Sequence, residues 1–214
     1  MNVKCITVNF MKENTYVVYD ETGECVIIDC GCSNESENEE LSRFIQENNL
    51  KPKRLLCTHF HLDHIFGNKF IKEKYGLDAE VCEADHLLYD MIHYQFVAFS
   101  MDESSVEIPE PKYNISEGDL ISFGNSTLEV IATPGHSPGG VSYYSAEDGI
   151  LFSGDTLMYH ATGATNLPGS RKAKLIKSIE DKLYKLPDIT KVYAGHGNGT
   201  TIGEEKTNGT IKEK

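Results

Sequence analysis

Residues 59–64 read His-Phe-His-Leu-Asp-His. Three imidazoles and one carboxylate in so short a stretch constrain the local backbone more than any other feature of the chain. On a helix, at about 100° per residue, positions 59, 61, 63 and 64 point in four scattered directions. On a strand, 59, 61 and 63 share one face and 64 opposes them. Regular structure therefore cannot easily gather all four around one ion. A turn that wraps around two ions can, with 59 and 61 serving one and 63 and 64 the other. Imidazole with carboxylate suits Zn, Fe or Mn. From the chain's own composition the pattern would arise by chance roughly 6 times in 10,000, which sets aside an incidental polar turn.

Further ligands are found where other strand-like runs end. Ile131-Ala132-Thr133-Pro134-Gly135-His136 closes on a tight turn and an imidazole. Ile150-Leu151-Phe152-Ser153-Gly154-Asp155 closes on a carboxylate, and Val192-Tyr193-Ala194-Gly195-His196 on another imidazole. Loops at sheet edges on a rigid scaffold are where ligands meet. The sum is five His and two Asp, enough for two ions with a shared carboxylate and an open position for water. Structural zinc sites are closed and often Cys-rich, so this set favours catalysis over metal storage. His86, His93 and His160 lie outside the pattern and read as surface or helix-face residues, with His160 near enough to Asp155 to line a pocket. Asp29, closing Val26-Ile27-Ile28, and Thr58 read as anchors of a ligand loop. Tyr94, Phe96 and Phe99 read as core packing, with a pocket wall as the alternative.

The rest of the chain supplies a layered scaffold. Strands are expected at 3–9, 14–19, 25–29, 54–58, 79–82, 119–123, 127–133, 141–145, 149–153 and 190–194. Helices are expected at 35–49, 63–75, about 85–93 and about 170–186. Residues 94–118 read as an irregular segment serving as a lid, and the chain from Gly197 as a polar tail. Strands then helices, repeated, imply two sheets between helix layers. At 214 residues one domain is expected. The balance of 20 basic against 33 acidic residues, a net charge of −13, argues against nucleic acid and anionic membranes as partners. No apolar run is long enough to span a bilayer, and no secretory signal opens the chain. Six cysteines without a C-x-x-C pair read as reduced thiols, which places the protein in the cytoplasm.

Taken together, Thr58-His-Phe-His-Leu-Asp-His64, Thr133-Pro-Gly-His-Ser-Pro-Gly139, Ser153-Gly-Asp-Thr-Leu157 and Gly195-His-Gly197 resemble the metallo-β-lactamase-fold hydrolases. Within them the likeness is to the glyoxalase II-like, or hydroxyacylglutathione hydrolase-like, group. Thr200-Thr-Ile-Gly-Glu-Glu-Lys206 resembles the ending of its short bacterial members. The resemblance implies an α/β fold, a four-layer αββα sandwich formed by residues 1–214 as one domain. It implies His59, His61 and His136 on one metal, Asp63, His64 and His196 on the other, and Asp155 bridging. The implied cofactors are two divalent cations, Zn first, with Fe or Mn as alternatives. The implied nucleophile is a bridging hydroxide, oriented by Asp63 as the catalytic residue, acting on a small acyl thioester, whose thiolate leaves without a strong general acid.

The chain also departs from that group. With a short stretch after His196, a C-terminal helical domain for glutathione is not expected. In Gly163-Ala164-Thr165-Asn166-Leu167-Pro168, Ala164 stands where a basic residue is usual and Asn166 where the full-length enzymes have Tyr. The resemblance therefore does not carry glutathione recognition with it. The alternatives are a one-iron persulfide dioxygenase using His59, His136 and Asp155, a lactonase or other ester hydrolase, and a phosphodiesterase. The complete second set argues against the one-iron enzyme, and the acidic surface against RNA cleavage.

Overall fold

A computed structural model describes residues 1–103 and 106–211. The first sheet contains β1 (Asn2–Val8), β2 (Glu13–Tyr19), β3 (Glu24–Ile28), β4 (Lys51–Leu56), β5 (Ala79–Cys82) and β6 (Lys112–Ile115), hydrogen-bonded in that order. β1 to β3 form an antiparallel meander; β3 to β6 run parallel. The second sheet contains β7 (Leu120–Phe123), β8 (Ser126–Ala132), β9 (Val141–Ser145), β10 (Ile150–Gly154), β11 (Lys191–Ala194) and β12 (Thr200–Thr201). Its pairs are antiparallel except β10 with β11.

The period of two along each strand sorts side chains into three apolar layers. Val18, Val26, Ile28 and Leu56 of the first sheet meet Leu128, Val130, Tyr143 and Phe152 of the second. The alternate residues Val17, Ile27 and Leu55 face outward against α1 (Glu35–Glu47), which contributes Leu41 and Ile45. Leu151 and Tyr144 face the other way, against Leu175 and Ile179 of α5 (Lys172–Asp181). The result is the expected four layers of helix, sheet, sheet and helix.

Several boundaries differ from the sequence reading. The stretch expected as one helix at 63–75 is a 3₁₀ turn, Leu62–His64, followed by α2 (Asn68–Tyr75). The helix expected near 85–93 is α3 (His86–Asp90), and α4 (Ile92–Ala98) follows at once. The segment expected to be irregular thus begins inside α4 and takes in β6, with Ser104 and Ser105 outside the described residues. The helix expected to 186 ends at Asp181, and a 3₁₀ turn, Leu183–Lys185, continues it. The polar tail holds β12 and α6 (Ile202–Asn208). There the Thr201 hydroxyl accepts from Glu204 N at 3.1 Å, a side-chain cap in a Thr-x-x-Glu sequence.

Candidate metal centre

The C-terminal ends of β4, β10 and β11 and the turn after β8 open at one edge of the sandwich. Beyond β4, the chain leaves the sheet at Cys57 and forms the loop that carries His59, His61, Asp63 and His64. His136 follows β8 across Thr133-Pro134-Gly135. Asp155 follows β10 directly. His196 follows β11 across Gly195. All seven side chains converge, although they span residues 59 to 196.

They converge as two sets. Donor atoms of His59, His61 and His136 lie within 4.8 Å of one another, and so do those of Asp63, His64 and His196. His61 Nδ1 is 2.8 Å from His136 Nε2, and His196 Nε2 is 3.2 Å from Asp63 Oδ2. Asp155 stands between the sets. Its Oδ2 is 3.6 Å from His136 Nε2 and 3.6 Å from His196 Nε2, and its Oδ1 is 3.6 Å from His64 Nε2.

The orientation of four of the five imidazoles has a local cause. His64 Nδ1 faces Asp29 Oδ2 at 3.0 Å, His136 Nδ1 the Ala164 carbonyl at 2.8 Å, and His196 Nδ1 the Met11 carbonyl at 3.2 Å. A carbonyl or carboxylate oxygen only accepts, so each Nδ1 carries a proton and each Nε2 is the atom turned to the cluster. His59 reaches the same state through a relay. Its Nδ1 lies 3.0 Å from Thr58 Oγ1, which in turn donates to Asp29 Oδ2 at 2.7 Å. Asp29 also accepts from Thr58 N at 2.7 Å. It sits near His59 and His64 as a third possible donor group, but its oxygens are spent on Thr58 and His64. It anchors the ligand loop, as its place at a strand end implies.

The residues fit cations. His59 Nε2, His64 Nε2 and Asp155 Oδ1 are buried with no hydrogen-bond partner among the described residues. An unsatisfied buried polar atom costs about 1–3 kcal/mol, and three in one cluster call for partners that the surrounding side chains do not supply. Burial, reinforced by His64, holds His59 well below the ordinary imidazole range. Burial and His136 push His61 down to about 3. Both are therefore neutral, with lone pairs available. Burial pulls His64 down too, but Asp63, Asp155 and Asp29 outweigh it and hold it well above its usual value. That opposing field is one that welcomes positive charge. Burial raises Asp63, yet His64 and His196 prevail and keep the carboxyl below its usual range.

The remaining expectations divide. His86 and His93 are exposed and pair with Asp90 and Glu103. His160 does not line the pocket: its Nε2 is 2.8 Å from Glu204 Oε1 of α6. Of the aromatic trio, Phe96 is buried in the core while Tyr94 and Phe99 border a cavity of about 470 Å³. His61, Asp63, His136, Asp155 and His196 border the same cavity.

Three supporting residues escaped the sequence reading. Asp85 is fully buried and accepts from Phe60 N at 3.0 Å, Ser137 Oγ at 3.0 Å and Gly139 N at 2.5 Å. It ties the His59–His61 loop to the His136 loop. Gln95 accepts from Leu62 N at 2.9 Å and donates to Phe60 O at 3.3 Å. Asn14 donates to Ala194 O at 3.1 Å and Gly197 O at 2.9 Å, which holds the turn bearing His196. An acid opening a helix resembles a solvated helix start, and nothing local marks Asp85 otherwise.

Residues 8–196 match the metallo-beta-lactamase superfamily. The hydroxyacylglutathione hydrolase GloC of Haemophilus influenzae is 33% identical over 207 residues, covering 96% of this chain and 95% of that one. The protein TTHA1623, solved in a di-iron-bound form, superposes with a TM-score of 0.85 at 33% identity, over 97% of this chain and 99% of the other. BLEG-1, solved as a B3 metallo-beta-lactamase, gives 0.83 at 30% identity over 98% of each chain.

Proposed function

Because this chain belongs to the metallo-beta-lactamase superfamily, we propose that it is a dinuclear metal-dependent hydrolase that cleaves a small acyl thioester. The observation that carries this reading is the pair of three-donor sets with Asp155 between them. His59, His61 and His136 would hold one divalent cation, Asp63, His64 and His196 the other, and Asp155 both. The second set favours two ions over one. We take the metal to be Zn first, with Fe or Mn as alternatives, since His/Asp sites accept all three. Such cations supply an acidified water and Lewis-acid polarisation of the acyl carbonyl.

The chain's own groups do the rest. Asp29 and the Ala164 and Met11 carbonyls fix the imidazoles through Nδ1. Asp63, held ionised, takes a proton from the attacking water on a carboxylate oxygen. As the C–O bond forms and the C–S bond breaks, that proton passes to the leaving sulfur. A thiolate leaves readily, so the absence of any other acid from this scheme costs little rate.

We take residues 1–214 as a single hydrolase domain of the cytoplasm, with no nucleic-acid partner. Six free cysteines, four of them buried, support a reducing compartment. The acidic charge of −13 supports a small-molecule partner over nucleic acid. No described helix is long and apolar enough to cross a membrane.

Elemental analysis of the purified protein, paired with a hydrolysis panel of thioesters and lactones including S-D-lactoylglutathione, tests the reading. About two metal equivalents per chain are expected, with thioester turnover lost on chelation and regained with Zn or Mn. His61→Ala should lose turnover and about one equivalent. Full metal occupancy with no thioester cleaved would overturn it.

A further inference from the structure

The cavity of about 470 Å³ is large enough for a substrate of modest size. Its floor is the ligand cluster; its walls are mostly apolar, with Tyr94 at an exposed position bringing one hydroxyl. Met11, Leu88, Met91, Ala98, Phe99 and Leu167 supply them. No Lys or Arg borders it among the described residues. Gln95 also borders it, but its amide is occupied. It accepts from Leu62 N, and its nitrogen donates to Leu88 O at 3.0 Å and Phe60 O at 3.3 Å. Phe10, centred 6.1 Å from Phe99 and 6.4 Å from Phe66, buttresses the same side. Methionine-bearing walls adapt to chains of different shape.

A carboxylate placed against these walls would lose hydration and find no cation in return. A hydroxyl would meet only the Tyr94 hydroxyl among the wall side chains not already paired, and that group is 65% exposed and open to water. An alkyl chain would displace water from apolar surface and gain on every methylene. Resting on the thioester-hydrolase reading above, we infer that the cavity holds the acyl half of the substrate and that this half is an uncharged, medium-length alkyl chain. The hydroxyacyl group named for the relative from Haemophilus influenzae is then a poor fit here. The reacting carbonyl sits at the floor, and the chain runs outward between Met91 and Leu167.

The test uses the full chain with its metals. Acetyl, butyryl, hexanoyl and D-lactoyl thioesters of N-acetylcysteamine keep the thiol half neutral and constant. We expect kcat/KM to rise about fourfold per added methylene until the cavity is filled, with the D-lactoyl ester well below butyryl. Binding of methyl ketones from butanone to 2-octanone, measured by calorimetry, reads the same walls without turnover, because a ketone cannot be hydrolysed. Affinity should climb along that series. Met91→Asp should flatten both series while the metal content stays intact, and Leu167→Asp, at an exposed position, serves if the first variant fails to fold. A flat or falling dependence in both series, or preference for the lactoyl ester, overturns the inference. Ketone binding that climbs with length, with no thioester cleaved, overturns the thioesterase reading and the acyl assignment with it, and upholds only the cavity as a site for an uncharged alkyl chain.

Discussion

Asp85 illustrates how a carboxylate outside the cluster controls it. Burial pushes its carboxyl up to about 6, against three hydrogen bonds that pull it down. At neutral pH the ionised group accepts from Phe60 N, Ser137 Oγ and Gly139 N. Asp85→Asn keeps the shape but turns an NH₂ toward one of those donors. We expect a loss of about 1–3 kcal/mol in stability, read from chemical unfolding, and a metal affinity weaker by about 10–100-fold. Unchanged metal affinity would reduce Asp85 to a core residue. The seven cluster positions were legible in the sequence because His, Asp and their spacing are themselves the chemistry. Asp29 was legible through its place at a strand end. Asp85 and Gln95 were not, because their partners lie 25 and 33 residues away and only the fold brings them together.

The elements deliver the ligands through turns that leave no room for larger side chains. A Cβ at Gly195 would run into the Asp155 carboxylate and come within 2.7 Å of His64 Cε1. Gly195→Ala should therefore displace Asp155 or His196, lower the metal content below two equivalents and cut turnover by at least tenfold. A variant with full metal and wild-type rate would show that the turn yields freely. Elements with strong periodicity, β2, β3, β8 and α1, came through in the sequence almost to the residue. The turn over the cluster was expected, but the start of the helix after it was not: the reading began it at 63, and α2 begins at Asn68 because the residues between follow the cluster's geometry and not a repeat. β6 and α6 were hidden for another reason. β6 is four residues long and the second half of α6 is polar, so each depends on tertiary partners. Thr201 caps α6, and Glu205 of that helix is buried, accepting from His160 N and Thr200 Oγ1. Thr201→Ala should cost about 1 kcal/mol, measured by thermal unfolding, with catalysis unchanged because α6 bears no ligand.

At the scale of the whole molecule, each metal set draws on both sheets. The β4 loop of the first sheet gives His59 and His61 to one set and Asp63 and His64 to the other; the second sheet completes them with His136 and His196. Bound cations would thus cross-link the sandwich at its open edge, while Val18, Ile28, Val130 and Phe152 hold it behind. In the unfolded chain the donors are dispersed over more than a hundred residues, so cations bind the folded state far better. Free metal at about a thousand times its Kd then adds about 4 kcal/mol per site. For a protein of this length each kcal/mol moves the thermal midpoint by about 2–4 °C. Chelation should accordingly lower the midpoint by about 8–16 °C for one site and by more for two, measured by calorimetry at fixed pH and salt. His136→Ala should remove the share of one set and His196→Ala that of the other, since each takes away the second sheet's only contribution to its triad beyond Asp155. If the midpoint holds steady while elemental analysis shows the metal leaving, the ions sit in the β4 loop alone and the sheets are joined by their apolar faces only.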